Sequence, residues 1–341
     1  MSSRIRAEKE QSPVPPPSLI TCLPYDIIVD IIARVPIYYY PKISLVSKSF
    51  RSIVASRELY TSRSLLGRTE HCLYAVLYNY NTDDYHLSIL RREVNNNNRL
   101  VIILTLPCMP CSVSYVPVGS KIYAVGSSSS LSIDCRSHKV QSNSSIPKYM
   151  YEKVPGIING KIYLIGDDKE SHSRKRVMVL DIETQMTIKP DLELDQFWYD
   201  AVVMEDKIYM RHSMKSFVYV PKESKWESDE MLNSKRLGKC VTIRVYDPKQ
   251  RCWRVVKGLK NSLPKRRHTV WSTMVGYDEK LAMFFQIYNS NVDEDVEIST
   301  WCAEISLERR QGGEIWGKVL WYDDVFDDGC SFMVTCLAVA V

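Results

Sequence analysis

The hexapeptide KIYLIG at residues 161–166 decides how most of this chain folds, because near-copies of it occur elsewhere in the sequence. They are KIYAVG (121–126), KIYMRH (207–212) and the weaker KLAMFF (280–285). A turn-like pair or triplet precedes each copy, and isoleucine, tyrosine and valine are typical of β-strands. Short strands that recur about every 40–50 residues predict a β-propeller, in which each blade packs against its neighbours and the array closes into a ring.

A second strand-like segment follows each copy at a variable distance, and together these segments define six candidate units. The first unit is an apparent hairpin at 72–92 that lacks the KIY pattern. The others are three units centred on residues 121, 161 and 207, a short unit at 240–253, and a last unit at about 270–321. The segment SFMVTCLAVAV (331–341) is strand-like and can complete the first blade. The sequence therefore predicts a ring of five or six blades.

The fifth unit is too short to form a complete blade. Only 27 residues separate Trp226 from Trp253, which occupy equivalent positions in successive units. Four strands of five or six residues, with their turns, do not fit comfortably into that length, and the KIY-like strand is absent there. We therefore expect an incomplete blade, or a ring that is strained or partly open. An open ring would expose unpaired strand edges, which favour aggregation.

Towards the N-terminus from the repeats, the stretch LPYDIIVDIIARVP (23–36) has the pattern of a short helix. Pro24 suits a first helical turn, Asp26 complements the positive end of the helix dipole, and Pro36 stops the helix near Val35. Val29 lies well away from one broad apolar face, which consists of Ile27, Ile28, Ile31, Ile32 and Val35. A surface helix normally carries a narrower apolar stripe, so this helix has surplus apolar surface.

The next segment, YYYPKISLVSKSFRSIVASRELY (38–60), predicts two more short helices. Pro41 again suits a first turn, and Ser47 can cap the helix that follows it. Three short helices within about 40 residues rarely form a stable core without a disulfide, a metal or a partner. The unit is therefore either a cap that is buried against the rest of this chain or a docking module that another protein completes.

The pattern LPxDIIxxIxxRVPxxxxxKISLVSKSFRSIVASxELYxxR resembles the F-box, the motif that binds the Skp-type adaptor of cullin-based ubiquitin ligases. One departure is Tyr40, which stands where the family usually carries a leucine before the proline. The matching residues are Leu23, Pro24, Asp26, Ile27, Ile28, Ile31, Arg34, Val35, Pro36, Ile43, Leu45, Val46, Ser47, Lys48, Phe50, Arg51 and Ile53. The resemblance favours the docking module over the internal cap.

In the F-box family, the opening Leu-Pro pair and the apolar residues of these helices insert into the adaptor. The surplus apolar surface would then belong to that partner. The resemblance implies that the following residues bind the adaptor: Leu23, Pro24, Ile27, Ile28, Ile31, Val35, Pro36, Ile43, Leu45, Val46, Lys48 and Phe50.

The repeats resemble the kelch repeat, although its Gly-Gly pair is degraded here. The order of the segments, with the ending WCAEISLERRQGGEIWGKVLW (301–321), resembles the plant F-box/kelch-repeat protein family over essentially residues 20–341. This resemblance implies an α+β multidomain chain. Its parts are a small three-helix F-box at 18–62 and an all-β kelch-like propeller of five to six blades, one of them incomplete, at 63–341. The polar, proline-rich composition of residues 1–17 predicts a disordered tail before them.

The composition argues against several classes of protein. With 45 basic and 40 acidic residues among 341, the formal charge of +5 is too balanced to indicate a nucleic-acid partner. No apolar run approaches the ~20 residues that a membrane helix needs, so we expect no membrane association. The polar, proline-rich start does not resemble a signal peptide. We therefore expect an intracellular protein, cytoplasmic or nuclear or both, whose ten cysteines are reduced thiols.

The sequence gives no sign of catalytic chemistry. The six histidines show no HxH, HxxxH or HExxH spacing, and CMPC (108–111) is a lone CxxC whose cysteines are interpreted as ordinary packing residues. No GxSxG motif, P-loop or glycine-rich dinucleotide loop is present. We therefore predict no catalytic residue, no cofactor and no metal site. Ligands that converge from different blades would escape such a search.

These observations favour a non-enzymatic substrate receptor of a Skp–cullin–F-box ubiquitin ligase. Its partners would be the Skp-type adaptor, through it a cullin, and an unknown target protein held by the propeller. The alternative is a kelch-like binding scaffold whose F-box is vestigial and which takes no part in ubiquitin transfer. A propeller enzyme with an oxidase-like or hydrolase-like activity is the third and least favoured hypothesis.

Overall fold

The chain forms two compact units, Met1–Thr69 and Glu70–Val341. A computed structural model describes residues 23–92, 97–111, 113–126, 130–143, 150–168, 174–181, 187–188, 191–193, 200–211, 216–233, 243–259, 263, 269–289 and 297–341. The tail predicted at 1–17 lies outside these residues. The predicted fold class, a small helical unit followed by an all-β propeller, is confirmed.

The described part of the N-terminal unit contains four short helices and a 3₁₀ turn, one helix more than predicted. They are α1 (Tyr25–Ala33), the 3₁₀ turn (Ile37–Tyr39), α2 (Tyr40–Ser44), α3 (Lys48–Val54) and α4 (Arg57–Leu65). The predicted Ser47 cap is confirmed, since its side chain accepts a hydrogen bond from the Phe50 N–H at 3.2 Å. The additional helix has its own cap, because the Ser56 hydroxyl accepts from the Leu59 N–H at 3.3 Å. Both caps satisfy N–H groups that a helix start otherwise leaves without a partner.

The second unit contains five β-sheets that follow one another along the chain. The strands of the first four sheets are β1 (His71–Asn79), β2 (Asp84–Arg91), β3 (Arg99–Ile102), β4 (Ser114–Val118), β5 (Lys121–Val125), β6 (Ser130–Asp134), β7 (Lys139–Asn143), β8 (Met150–Ile158), β9 (Lys161–Asp168), β10 (Arg174–Asp181), β11 (Thr187–Ile188), β12 (Asp191–Glu193), β13 (Asp200–Met204), β14 (Lys207–Arg211), β15 (Ser216–Val220) and β16 (Lys225–Ser228). A short helix α5 (Glu230–Asn233) follows the fourth sheet.

The fifth sheet has six strands and includes the distinctive ending of the sequence. Its strands are β17 (Arg244–Asp247), β18 (Cys252–Lys257), β19 (Thr269–Tyr277), β20 (Lys280–Asn289), β21 (Glu297–Arg309) and β22 (Ile315–Asp327). A 3₁₀ turn at Gln311–Gly313 connects β21 to β22. The last strand, β23 (Ser331–Ala340), belongs to the first sheet.

The KIY copies form equivalent strands, β5, β9, β14 and β20, each second from one edge of its sheet. Tight hairpin turns precede three of them, and both central residues of each turn have a positive φ. Two-residue hairpins of this type match the twist of the strands that they connect. The turns are Asn159–Gly160, Glu205–Asp206 and Asp278–Glu279. The repeated sequence therefore marks a repeated hairpin.

The first sheet is completed by the last strand, as predicted. β23 pairs with β1 in antiparallel register, from His71 opposite Ala340 to Asn79 opposite Ser331. The sheet then continues through β2 to β3. On its other side β23 packs beside β19 and β4, β4 packs beside β8, and β8 beside β13. The two ends of the propeller sequence are thus joined in one sheet.

The predicted fifth unit is a hairpin that has merged with the sixth unit, so the structure has five sheets instead of six. Asp247 ends β17 as Asp134 ends β6 and Asp181 ends β10, so β17 and β18 correspond to the outer two strands of a blade. β18 pairs in parallel with β22, Val256 opposite Ile315 and Lys257 opposite Trp316. Among the described residues this unit contributes only these two strands, as the predicted incomplete blade requires, and β22 covers the edge of β18 that an open ring would expose.

Apolar clusters lie between neighbouring sheets, as expected for packed blades. Val116 and Val125 meet Ile162 and Leu164 between the second and third sheets. Ile165 and Val177 pack with Ile208, Met210 and Tyr219 between the third and fourth. Tyr246 and Trp253 of the hairpin pack against Tyr209 and Val218 of the fourth sheet. The fifth sheet packs against the first through Phe284, Cys302, Leu73, Ala75 and Leu77.

Candidate functional site

Helix α1 has apolar side chains on both an inner and an outer face. Val29, Ile32 and Ala33 are buried, whereas Ile27 and Ile31 are 44% and 49% exposed. The sequence-based assignment was wrong on two points, because Val29 is an inner residue and Ile32 belongs to the inner face. The outer side has helical spacing and, with the preceding Leu-Pro pair, consists of Leu23, Pro24, Ile27 and Ile31. We refer to these four exposed residues as the α1 patch.

A buried arginine of α4 fixes the position of α1. Arg63 is 1% exposed, and its Nη1 donates to the carbonyl oxygens of Ala33 at 3.0 Å and Val35 at 2.7 Å. Its Nη2 donates to the Arg68 carbonyl at 2.6 Å. The last carbonyls of a helix lack partners within the helix and carry partial negative charge, so a cation there is favourable. Arg63 therefore holds the end of α1 against α4, with the α1 patch left on the outside.

Tyr40, the departure from the F-box pattern, completes the same network. Its ring is 5% exposed, and its hydroxyl donates to the Ile32 carbonyl at 3.0 Å. The same hydroxyl accepts a hydrogen bond from Arg63 Nη1 at 3.0 Å, and the guanidinium carbon lies 5.5 Å from the ring centroid. A leucine would offer neither hydrogen bond. The tyrosine therefore supports the buried arginine.

A second exposed apolar group lies at the turn between α2 and α3. Leu45 and Val46 are 77% and 68% exposed, and neither belongs to a helix. α2 ends at Ser44 and α3 begins at Lys48, so these two side chains stand on a tight connection that the Ser47 cap fixes. Lys48 is exposed beside them. We refer to Leu45 and Val46 as the turn patch.

The structure leaves none of the twelve predicted adaptor-binding residues buried. Four of them are half-buried and also contribute to the interior of the unit: Ile28, Val35, Ile43 and Phe50. The other eight are exposed: Leu23, Pro24, Ile27, Ile31, Pro36, Leu45, Val46 and Lys48. Three further large exposed residues of this unit were missed from the sequence: Tyr25, Tyr38 and Leu65. Leu65 lies at the end of α4, the helix that was not separately predicted, so no pattern pointed to it.

The chemistry of these patches is that of an apolar docking surface. Full burial of an isoleucine or leucine side chain contributes about 1.5–3 kcal/mol, so a partner that covers several of them gains substantial affinity. An ion pair on the outer part of α1, between Arg34 Nε and Asp30 Oδ2 at 3.1 Å, has both side chains about half exposed. Exposed pairs of this kind contribute little. Recognition here would therefore depend on shape and apolar burial.

The propeller has a pocket between the β13–β14 turn, the β17–β18 hairpin and the β21–β22 strands. Its charged lining residues already form pairs, with Lys249 Nζ 3.6 Å from Glu205 Oε1 and Arg309 Nη2 3.9 Å from Asp247 Oδ2. The pocket therefore has no excess of either charge to attract an ion. Its position on loops is typical of a surface that contacts another molecule.

No helix in the described part of the chain is long and apolar enough to cross a membrane.

Comparison with known proteins covers both units. A family model of the F-box domain matches residues 20–62, and a model of the FKB95 kelch-repeats domain matches residues 79–326. The chain is 42% identical over 375 residues to the F-box/kelch-repeat protein At4g38940 of Arabidopsis thaliana, covering 99% of this chain and 98% of that protein. It is 35% identical to F-box/kelch-repeat protein At4g39240 of the same plant, covering 95% and 92% of the two chains. A third Arabidopsis thaliana relative, F-box/kelch-repeat protein At5g39560, is 30% identical and matches 100% of this chain and 98% of its own.

Proposed function

The chain belongs to the F-box/kelch-repeat protein family, and on that premise we propose that it is the substrate-recognition subunit of a Skp–cullin–F-box ubiquitin ligase. The F-box and kelch domains support an adaptor-type role. In our proposal the N-terminal unit binds a Skp-type adaptor and through it a cullin. The propeller binds the target protein.

The observation that carries the proposal is the double-faced α1. A helix that only capped its own unit would need one apolar face, which Val29, Ile32 and Ala33 already supply. Ile27 and Ile31 add a second face that remains half exposed. Exposed apolar side chains that cluster on one element are typical of an interaction site. The α1 patch and the turn patch are therefore the proposed adaptor-binding surface.

The proposed mechanism is proximity. When the F-box holds the adaptor and the propeller holds the target, the ubiquitin-bearing subunits meet the target within one complex. Tethering raises the effective concentration of the reacting groups without any catalytic residue in this chain. An adaptor-type, non-catalytic role agrees with the family assignment.

An intracellular location, cytoplasmic or nuclear or both, is part of the same proposal. Eight cysteines in the described residues are free thiols: Cys72, Cys108, Cys111, Cys135, Cys252, Cys302, Cys330 and Cys336. Free thiols are typical of proteins kept in a reducing compartment.

The adaptor interface is tested by binding of a purified Skp-type adaptor to the full chain and to Ile31→Asp. We expect at least a tenfold loss of affinity for Ile31→Asp, because a carboxylate in an apolar interface loses its hydration without a partner. The matched control is Leu65→Asp, which places the same charge on an exposed leucine of the same unit outside the proposed surface. Hydrogen exchange of α1 verifies that both variants remain folded.

Equal adaptor binding by the wild type and Ile31→Asp would overturn the assigned surface. If the double variant Leu23→Ala/Pro24→Ala bound as much adaptor as the wild type, the assignment of Leu23 and Pro24 to the adaptor-binding surface would be overturned. A chain that binds a target protein but recruits no adaptor or cullin would instead support the scaffold with a vestigial F-box.

A further inference from the structure

Three side chains with metal-binding atoms meet at the outer part of the first sheet. They are Asp84 and His86 of β2 and Cys108 of the segment that leads towards β4. One ligand atom of each, a carboxylate oxygen, an imidazole nitrogen and the thiol sulfur, lies within 4.8 Å of the others. Asp84 and His86 are half-buried and Cys108 is exposed. None of these residues belongs to the proposed adaptor surface or to the pocket on the propeller.

The backbone explains why the three side chains share one side of the sheet. Asp84 and His86 are two residues apart on a strand, so their side chains point the same way. An antiparallel bridge pairs Tyr85 with Met109, and the Met109 N–H donates to the Tyr85 carbonyl at 2.7 Å. This register places Cys108 directly opposite His86, and cross-strand partners have their side chains on the same face. The alternation of side chains along β2 and this single bridge thus bring the three positions to one face of the sheet.

The same bridge ends a loop that interrupts the pairing of the chain with β2. β3 pairs with β2 up to Ile102 opposite Ser88, and the Ile103 N–H donates to the Leu87 carbonyl. The pairing then resumes at Tyr85 with Met109, four residues later than an uninterrupted ladder would place it. The residues between form a loop that carries Leu104, which is 89% exposed. Cys108 stands where this loop returns to β2.

We propose that Asp84, His86 and Cys108 form a zinc site. Thiolate, imidazole and carboxylate are the three ligand types that proteins use for Zn²⁺. With metal–ligand bonds of about 2.0–2.3 Å, the ligand atoms of a tetrahedral site lie roughly 3.5 Å apart. The three ligand atoms, which lie within 4.8 Å of one another, therefore reach this spacing when the side chains move by about 1 Å. A water molecule would complete the four-coordinate geometry of the proposed site.

The bound ion would fasten the returning loop to β2. The segment after Cys108 leads directly into β4, the first strand of the second sheet. A metal that bridges β2 and Cys108 therefore stabilises the connection between the first two sheets. Because such an ion binds the folded chain more tightly than the unfolded one, it raises the melting temperature.

No local sequence pattern marks this site, because its ligands come from two segments and neither the histidine spacing nor the CxxC pair identifies it. The interpretation of the two CxxC cysteines as packing residues was wrong, since Cys108 and Cys111 are both exposed. Cys111, three residues after Cys108, is not part of the cluster. It therefore provides a matched control, with a cysteine of the same motif and similar exposure outside the proposed ligand set.

The experiment measures Zn²⁺ binding to the full chain, stripped with a chelator and carrying no polyhistidine tag. We expect one equivalent to bind, with Cys108→Ser and His86→Ala each at least tenfold weaker and Cys111→Ser equal to the wild type. Co²⁺ in place of Zn²⁺ should give a thiolate-to-cobalt charge-transfer band that Cys108→Ser lacks. Zn²⁺ should raise the melting temperature of the wild type and of Cys111→Ser, but not of Cys108→Ser.

Two results would overturn the proposal. One is the absence of saturable Zn²⁺ binding by the wild type. The other is an equal loss of binding in Cys111→Ser and Cys108→Ser, which would assign the metal to the CxxC pair. Since Cys108 is exposed, the metal-free Cys108→Ser chain should melt as the metal-free wild type does. That variant therefore decides the question even if His86→Ala does not fold.

Discussion

At the scale of single residues, Glu304 is a charge that the fold encloses and neutralises. Its side chain is 3% exposed, and Lys280 Nζ lies 3.0 Å from it, while Arg92 Nη2 and the Tyr277 hydroxyl also donate to it. Burial alone would raise the pKa of Glu304. The Tyr277 hydrogen bond and the charges of Arg92 and Lys280 outweigh burial, and the pKa is lowered below its ordinary value.

Glu304→Gln should therefore destabilise the propeller by about 2 kcal/mol at neutral pH, since hydrogen bonds to a charged group are worth that much. A carboxylate with a lowered folded-state pKa stabilises the fold above its unfolded pKa and loses this contribution as pH falls through the folded value. The difference in urea midpoint between wild type and variant should thus be largest at pH 7 and should decrease below about pH 4. Glu308→Gln, at an exposed position, is the control and should change little. A difference that did not depend on pH would contradict this account.

Several residues of the candidate site could be predicted from the sequence, and others could not. The sequence predicted the surplus apolar surface of α1 and the Ser47 cap correctly, because both follow from local spacing. It placed Val29 and Ile32 on the wrong faces, since a helix that is apolar nearly all round has no periodicity to distinguish inside from outside. It included Arg63 in the F-box pattern but assigned it no role, because its partners Ala33 and Val35, at the end of α1 and just after it, are far away in the sequence.

At the scale of elements, the joint between β18 and β22 depends on two glycines. A Cβ on Gly258 would lie 2.6 Å from the Gly317 carbonyl oxygen, and a Cβ on Gly317 would lie 2.8 Å from Val256 Cγ1. Gly258 also has a φ of +88°, which side-chain-bearing residues rarely adopt. The close approach of the two backbones allows the short parallel pairing that joins the hairpin to the last sheet.

Gly258→Ala should cost about 2–3 kcal/mol, because backbone strain and a clash with a carbonyl oxygen add together. Two controls separate the causes. Gly312→Ala has a similar φ of +77° with open space around it, and Gly276→Ala has an ordinary φ with its nearest atom at 3.9 Å. In chemical unfolding, Gly258→Ala should lower the free energy of unfolding most, Gly312→Ala less, and Gly276→Ala least. If Gly258→Ala were no more costly than Gly312→Ala, the close approach would not matter for stability.

The elements were predictable where the sequence repeats itself. The KIY copies, including the weak one at 280–285, occupy equivalent strands, and the shortness of the fifth unit correctly indicated a missing half-blade. The merger of that unit with the last sheet was not predictable. It depends on a two-residue parallel contact between segments that no local pattern relates.

At the scale of the whole molecule, the propeller is held together by its first and last strands. β23 supplies a neighbour for β1 along its full length, and Met333 and Cys336 pack between the first and fifth sheets. Closure of this kind leaves neither β1 nor the apolar side chains behind it open to solvent.

Removal of residues 331–341 should therefore do more than shorten the chain. It would leave the edge of β1 unpaired and the buried Leu73, Ala75 and Leu77 partly uncovered. We expect rapid proteolysis of residues 71–91 and elution as aggregates in size-exclusion chromatography. Full-length Val334→Lys, which changes a partly exposed residue of β23, should remain monomeric. A truncated chain that stayed monomeric with an unchanged melting temperature would show that β23 is dispensable.

The pairing of β1 with β23 means that the first sheet can be completed only at the end of synthesis. β1 emerges from the ribosome before every other strand, and its partner emerges after all of them. At about 5–20 residues per second, the wait is on the order of ten to fifty seconds. During that interval the edge of β1 that β23 later covers has no strand beside it. A message cut short before residue 331 would consequently produce a polypeptide whose first sheet can never be completed.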